Sequence, residues 1–192
     1  MEKSRIVQFL GALDAELAQH GRAGERLDCY LIGRSALIVR YRLDLATKDV
    51  DMVTRTQTPD LEAKALELFG KGTASAARWG LYLEGVPPGL PPLPGNFRKR
   101  AADLPGNWQV LRPRLPEPHD LAVTKLKRFH AGDREDLQIL CDSGDLTCAG
   151  LEQALDWAYP FGMDEEEDPT CKRVRDNFRN VIDYLEGRRR AL

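Results

Sequence analysis

The sequence predicts an α+β fold, in which a small mixed β-sheet is flanked by helices and followed by a helical C-terminal part. Short apolar runs at residues 27–32 and 49–54 are typical of buried strands. Apolar residues at helical spacing in residues 4–20 indicate a helix before the first of these strands. The same spacing dominates the chain after residue 118, which places the helical part at the end.

The first half of the chain alternates helices with strands. Helical spacing predicts helices over three ranges: 4–20, 36–41 and 60–69. Apolar runs predict strands over three others: 27–32, 49–54 and 79–86. Gly33 turns the first strand into the second helix, and Thr58, Pro59 and Gly70 are typical cap residues of the third helix.

The second half begins with one strand and is otherwise helical. A strand is predicted over 107–112, and helices are predicted over 118–130, 133–141, 148–158 and 169–187. The last helix carries an apolar stripe that includes Val174, Phe178 and Val181. We therefore expect a domain over residues 1–142 and a helical extension over residues 143–192 that packs on it.

Composition and charge exclude several classes of protein. The 192 residues are 42% hydrophobic and 30% charged, and the formal net charge of -2 gives no overall attraction to nucleic acid or to an anionic membrane. No apolar run approaches the roughly 18 residues of a membrane span. The cysteines are isolated and the N-terminus lacks a signal-peptide core, so we expect a cytoplasmic protein without a zinc site.

The pattern with the most chemical content is Asp49-x-Asp51 on the second strand, which follows a strand–glycine–helix unit. Residues i and i+2 of a strand point to one face about 6–7 Å apart, and the apolar residues Val50 and Met52 direct the two acids away from the core. Carboxylates at this spacing suit Mg²⁺ or Mn²⁺, which prefer oxygen ligands and substrate phosphates. Backbone N–H groups at the Gly33 turn suit the phosphates of a nucleotide.

The string LIGRSAL…ATKDVDMV resembles the signature of the nucleotidyltransferase-fold superfamily, in which a Gly-Gly or Gly-Ser turn precedes Asp-x-Asp. It is most similar to the branch of bacterial AbiEii-type toxins and related nucleotidyltransferase-like proteins. The later string DLAVTKLKRFHAGDREDLQIL is similar to the second signature of that branch. The resemblance covers residues 25–142 and departs from the pattern at Arg34, which follows the turn glycine and moves Ser35 one place later.

The resemblance implies a set of site residues. Asp49 and Asp51 would hold the metal ion, and a third carboxylate from a neighbouring strand is expected. Glu84 is the candidate for this carboxylate, and the alternative is an ordinary solvent-facing glutamate. Lys125, which either extends to solvent or points into a cleft, would face the phosphates, with Asp136 near the same site. The residues expected to bind the triphosphate are Gly33, Arg34, Ser35 and Lys48.

These expectations describe a metal-dependent nucleotidyltransferase that moves an NMP from an NTP to a tRNA, a protein or a small molecule. By analogy with the branch, the setting is a toxin–antitoxin or phage-defence system with a cognate antitoxin partner. The alternative is a catalytically degenerate binding module or antitoxin-like regulator on the same fold, which Arg34 favours. The enzyme requires Glu84 in the same cleft as Asp49 and Asp51, with Lys125 opposite. The degenerate module requires a blocked cleft, with Arg34 paired to one of the two aspartates. A third interpretation, a purely helical interaction protein, fails if residues 27–54 form paired strands.

Overall fold

The computed structural model describes residues 4–21, 24–54, 58–87, 89–159 and 168–192. The chain divides into two compact units. The sheet unit comprises Met1–Leu90 and Ala101–Pro116, and the helical unit comprises Pro91–Arg100 and Glu117–Leu192. Compact units of this kind are not necessarily domains that fold alone, so the predicted boundary at residue 142 remains a prediction.

The sheet unit is built on a five-stranded mixed sheet with the strand order β3-β2-β1-β5-β4. Its strands are β1 (Leu27–Leu31), β2 (Asp49–Thr54), β3 (Tyr82–Gly85), β4 (Ala102–Asp103) and β5 (Leu111–Leu115). β1 pairs antiparallel with β2 and parallel with β5, while β2 pairs parallel with β3. The pairing of β1 with β2 excludes a purely helical protein.

Helices make up most of the remaining described chain. The sheet unit contains α1 (Arg5–Leu17), α2 (Gly33–Tyr41), α3 (Pro59–Phe69) and α4 (Ala74–Trp79). The helical unit contains α5 (Phe97–Arg100), α6 (Pro118–Leu126), α7 (Ala131–Asp142), α8 (Cys148–Ala158) and α9 (Pro169–Leu185). The predicted α+β class, with a mixed sheet, flanking helices and a helical C-terminal part, is confirmed. Within the described residues, no helix is both long and apolar enough to cross a membrane.

The core of the sheet unit determines which way the acids of β2 point. Val50 and Met52 are fully buried, whereas Asp49 and Asp51 between them are only half-buried. Phe9 of α1 is also fully buried, and its ring packs edge-on against Phe69 of α3 with 5.3 Å between the ring centroids. Because strand side chains alternate between faces, burying Val50 and Met52 holds both acids on the opposite face.

Asp14 is a buried carboxylate that connects α1 to the start of β5. It is 3% exposed. Its oxygens accept hydrogen bonds from the backbone N–H groups of Gln109, Val110 and Leu111 at 2.8, 2.8 and 2.7 Å. Three donors from consecutive residues compensate for the burial of the charge and hold the chain where it enters β5.

Two of the predicted strands differ from the structure. The range 79–86 begins in a helix, because α4 ends at Trp79 and Gly80 turns the chain with a φ of +59° before β3. The strand predicted over 107–112 is β5, which begins at Leu111 and contains Pro113. The Pro113 carbonyl accepts from Leu104 N–H at 2.8 Å, so the proline nitrogen faces the short edge strand β4, where a missing N–H costs least.

The helical unit has its own core around α6 and α9. Val174, Phe178 and Val181 of α9 are buried, as the predicted apolar stripe requires. The Asn177 side-chain amide donates to the backbone carbonyl of Leu126 at 2.8 Å, which satisfies an acceptor at the end of α6.

A histidine of α6 that contacts the N-cap of α8 makes the stability of the helical unit pH-dependent. His119 Nε2 accepts a hydrogen bond from Thr147 N–H at 3.1 Å, so this nitrogen must be unprotonated. Burial lowers the pKa of His119, and the positive charge of Arg100 lowers it as well. The negative charges of Glu117 and Asp145 raise the pKa, but the net shift is downward. As the pH falls, the His119 imidazole therefore becomes protonated at a higher pH in the unfolded chain than in the folded chain.

We expect this contribution to stability to be complete above about pH 6.5, the ordinary histidine value, and to be lost as the pH falls below it. Urea unfolding at neutral pH and at about pH 5.5 measures the change. His119→Gln keeps a hydrogen-bond acceptor without titrating, so it should show a smaller loss. An equal loss in the variant and the parent would assign the pH dependence to other groups.

Candidate functional site

Three acidic side chains meet on the open face of the sheet. Asp49 and Asp51 lie on β2, and Glu84 lies on the parallel strand β3 directly beside Asp51 in the pairing register. One carboxylate oxygen from each of the three residues lies within 4.8 Å of the other two. Glu84 is exposed and the two aspartates are half-buried, so the cluster is open to solvent. Glu84 thus shares the face of Asp49 and Asp51, as the enzyme interpretation requires.

Two neighbours of Asp49 shape the cluster. The Thr47 hydroxyl donates to Asp49 Oδ1 at 2.7 Å, which orients this carboxylate. Tyr82 lies beside Asp49 in the register of β2 and β3. Burial raises the pKa of the Tyr82 phenol, and the negative charges of Asp49, Glu84 and Asp51 raise it further. The cluster therefore concentrates negative charge on this part of the sheet.

Gly33 brings the backbone of α2 close to the same acids. Its φ is +65°, a conformation that favours glycine. A Cβ atom at this position would lie 2.3 Å from Asp51 Oδ2, so any larger residue would force the carboxylate to move. The β1–α2 turn is also tied to β2, since Ile32 N–H donates to the Asp51 carbonyl at 3.0 Å. The first turn of α2 and the acidic cluster are therefore immediate neighbours.

The other residues predicted to bind phosphate have varied surroundings. Ser35 is 1% exposed, and its hydroxyl donates to the Ile32 carbonyl at 2.9 Å, so it supports the turn. Arg34 is half-buried on the first turn of α2. Lys48 is exposed just before β2, and its carbonyl accepts from Tyr82 N–H at 2.9 Å. Phosphate binding by these residues remains a prediction.

The donor set of the cluster suits a divalent cation. Three carboxylates supply hard oxygen ligands, which Mg²⁺ and Mn²⁺ prefer. Negative charges this close repel one another, and a bound cation would offset the repulsion. The open face leaves room for water and phosphate oxygens in the other coordination positions, as Mg²⁺ requires.

We expect Thr47→Val to weaken Mg²⁺ binding by roughly 10–100-fold, the usual effect of removing a hydrogen bond that orients a metal ligand. Valine has nearly the same shape as threonine but cannot donate to Asp49. Calorimetric titration with Mg²⁺ measures the affinity, and Thr47→Ser, which keeps the hydroxyl, is the matched control. Unchanged affinity in the valine variant would show that Asp49 needs no support from Thr47.

Lys125 and Asp136 form a buried charge pair in the helical unit. Lys125 is 4% exposed and its Nζ lies 2.6 Å from Asp136 Oδ2. Asp133 Oδ1 lies 3.8 Å from the same nitrogen and also accepts a hydrogen bond from the Arg128 guanidinium at 3.0 Å. Lys125 therefore does not extend to solvent, and its charge is matched within its own unit. The roles predicted for Lys125 and Asp136 at the nucleotide site remain predictions.

Sequence reasoning missed Thr47 and placed Tyr82 on the face of Glu84 without giving it a role at the site. Thr47 gives one signal, a hydroxyl two residues before the first acid, which is within reach of its carboxylate. Tyr82 precedes Glu84 by two residues, so alternation places it on the same face. Its position beside Asp49 depends on the register of β2 and β3, which no local pattern specifies.

Comparison with known proteins identifies one family. A model of the family described as nucleotidyltransferase of unknown function (DUF6036) matches residues 8–166, which include the whole acidic cluster. No curated protein and no solved structure matches the chain.

Proposed function

The chain belongs to the DUF6036 family of nucleotidyltransferases of unknown function, and we propose that it transfers an NMP from an NTP to an acceptor in a metal-dependent reaction. One observation carries this proposal. The carboxylates of Asp49, Asp51 and Glu84 converge within 4.8 Å on a face that also meets the Gly33 turn. Ligands for a cation and backbone amides for an anion thus lie side by side.

In the proposed reaction, Asp49 and Asp51 would hold Mg²⁺ or Mn²⁺, and Glu84 would complete the carboxylate set. A bound cation supplies charge neutralisation at the phosphates and stabilises the pyrophosphate leaving group. Glu84 is the most exposed of the three acids. It accepts the proton of the acceptor hydroxyl while the hydroxyl oxygen attacks the α-phosphorus. The bond between that phosphorus and pyrophosphate breaks. The N–H groups of the Gly33 turn bind the β- and γ-phosphates.

Several finer features of the proposal rest on the sequence resemblance alone. These are the place of Lys125 and Asp136 near the phosphates, the AbiEii-like branch, and a toxin–antitoxin or phage-defence setting with an antitoxin partner. A cytoplasmic location is proposed from the isolated cysteines instead. The acceptor is proposed to be a tRNA, a protein or a small molecule. Labelled NTP incubated with each acceptor class tests the last point, because label appears only in the correct acceptor.

The direct test follows the thermal midpoint of the protein with Mg²⁺ and each of the four NTPs. A ligand present at about 100 times its dissociation constant stabilises the folded state by about 2.7 kcal/mol, which corresponds to a rise of roughly 5–10 °C. We expect this rise with at least one NTP, and we expect its loss in the double variant Asp49→Asn/Asp51→Asn and in EDTA.

Asp44→Asn is the matched control, because it removes an exposed acid from the loop before β2 that lies outside the cluster. It should respond to NTP as the parent does. No rise with any NTP at millimolar concentration would contradict the proposed enzyme and would favour the degenerate binding module.

A further inference from the structure

The turn between α6 and α7 contains a bulky residue in a backbone conformation that suits glycine. Among the described residues, Arg42 and Phe129 are the only non-glycine residues with a positive φ. The φ of Phe129 is +53°, and its N–H donates to the Lys125 carbonyl at 3.1 Å, as in a left-handed helix end. Glycine is usual there because it has no Cβ. A phenylalanine in this place indicates that its ring has a use that offsets the strain.

One guanidinium lies near this ring, and further basic residues flank Phe129 in the chain. Arg134 donates to the Phe129 carbonyl at 3.1 Å, and its guanidinium carbon lies 6.0 Å from the ring centroid. Lys127 and Arg128 precede Phe129 and are both exposed, and the side chain of Arg128 is 68% exposed. His130, which follows it, is exposed as well. We name these five residues, Lys127, Arg128, Phe129, His130 and Arg134, the turn surface.

The acids near the turn surface are mostly turned inward. Asp133 and Asp136 are 5% and 3% exposed and face Lys125 in the interior of the helical unit. Asp133 also accepts from Arg128, whose guanidinium keeps further donors for a ligand. Glu135 is the exposed acid in this stretch, so one exposed negative charge compares with the three positive charges of Lys127, Arg128 and Arg134. The solvent-facing side of the turn is therefore basic, although the whole chain is slightly acidic.

We propose that the turn surface binds single-stranded nucleic acid, with a base stacked on Phe129 and the flanking phosphates bound by Lys127, Arg128 and Arg134. Phe129 is half-buried, so part of its ring is open to solvent beside the basic side chains. An aromatic ring in such a setting suits this ligand, because every base has a flat face and every linkage carries a negative charge. An acidic peptide would use the cations but would leave the strained aromatic residue unexplained. The surface lies wholly within the helical unit and does not depend on the proposed transfer reaction.

The test measures binding of a labelled single-stranded oligonucleotide by fluorescence anisotropy in EDTA, without nucleotide. RNA and DNA oligonucleotides of one sequence form separate arms, because either backbone offers the same chemistry. We expect Phe129→Gly to weaken binding by roughly tenfold or more, the usual effect of losing one stacked base, while the thermal midpoint stays the same or rises. Lys127→Gln should lower the salt dependence by about 0.7 in logarithmic slope, the value for one phosphate contact.

Arg42→Gly is the matched control. It also places glycine at a left-handed helix end and removes one positive charge, but it lies in the sheet unit. Its affinity for the oligonucleotide should equal that of the parent. If Phe129→Gly does not fold, Phe129→Leu replaces it, since leucine packs but does not stack.

Three results would overturn the proposal. They are no binding by the parent at micromolar concentration, full affinity in the folded Phe129 variant, and equal competition by an acidic peptide of the same charge. Because the assay contains neither metal nor NTP, its failure would leave the proposed enzyme untouched. A failed Mg²⁺–NTP titration would likewise leave the turn surface standing.

Discussion

Asp51→Asn is expected to lower the rate of nucleotidyl transfer by roughly 10³-fold. The substitution keeps the shape of the side chain but removes the charge at the centre of the cluster, between the Gly33 turn and Glu84. A cation that stabilises charge in the transition state contributes several kcal/mol, and about 4 kcal/mol corresponds to this loss of rate. The rate is measured as the release of pyrophosphate. The substrate is the NTP that raises the thermal midpoint.

Mg²⁺ titration of the same variant without nucleotide provides a second readout, which separates metal binding from later steps. Asp44→Asn, with an equal change of charge outside the cluster, should keep the parent rate. If Asp51→Asn retained more than about a tenth of the rate, Asp51 could not be a principal metal ligand.

Asp14→Ala is expected to lower the free energy of unfolding by about 3–5 kcal/mol, the largest loss of stability that we predict for a single side chain. The substitution leaves three backbone N–H groups of residues 109–111 without their buried acceptor. Each unsatisfied buried donor costs about 1–3 kcal/mol, and partial entry of water reduces the sum. Urea unfolding at neutral pH measures the loss.

Two variants calibrate this result. Asp14→Asn keeps one carbonyl oxygen as an acceptor, so we expect a smaller loss. Glu16→Ala removes an exposed acid from the same helix and should change stability by no more than about 0.5 kcal/mol. A loss below about 1 kcal/mol for Asp14→Ala would mean that water replaces the carboxylate.

The two acids of β2 illustrate what a local pattern can predict. The predicted strand 49–54 matches β2 in both bounds, because alternating apolar residues specify a buried face and therefore the opposite face as well. Glu84 is different. Its distance from the other acids depends on the register of two strands separated by about thirty residues, so the sequence left an ordinary solvent-facing glutamate as the alternative.

The errors in the strand predictions have a similar cause. Residues 74–79 form a helix whose cap is Thr73, yet the apolar run that follows Trp79 obscures where the helix ends and β3 begins. β5 contains a proline, and a proline in a sequence argues against a central strand. The structure shows that the proline nitrogen faces the short edge strand β4, where the missing N–H is tolerated.

By itself, the sequence determined the α+β class and the common face of Asp49 and Asp51, because periodicity acts over a few residues. Only the tertiary structure decided that Glu84 completes the cluster, that Asp14 is a buried acceptor and that Lys125 is paired with Asp136. An acid on a helix looks the same in sequence whether it faces solvent or the core. Its partners are chosen when distant segments pack together.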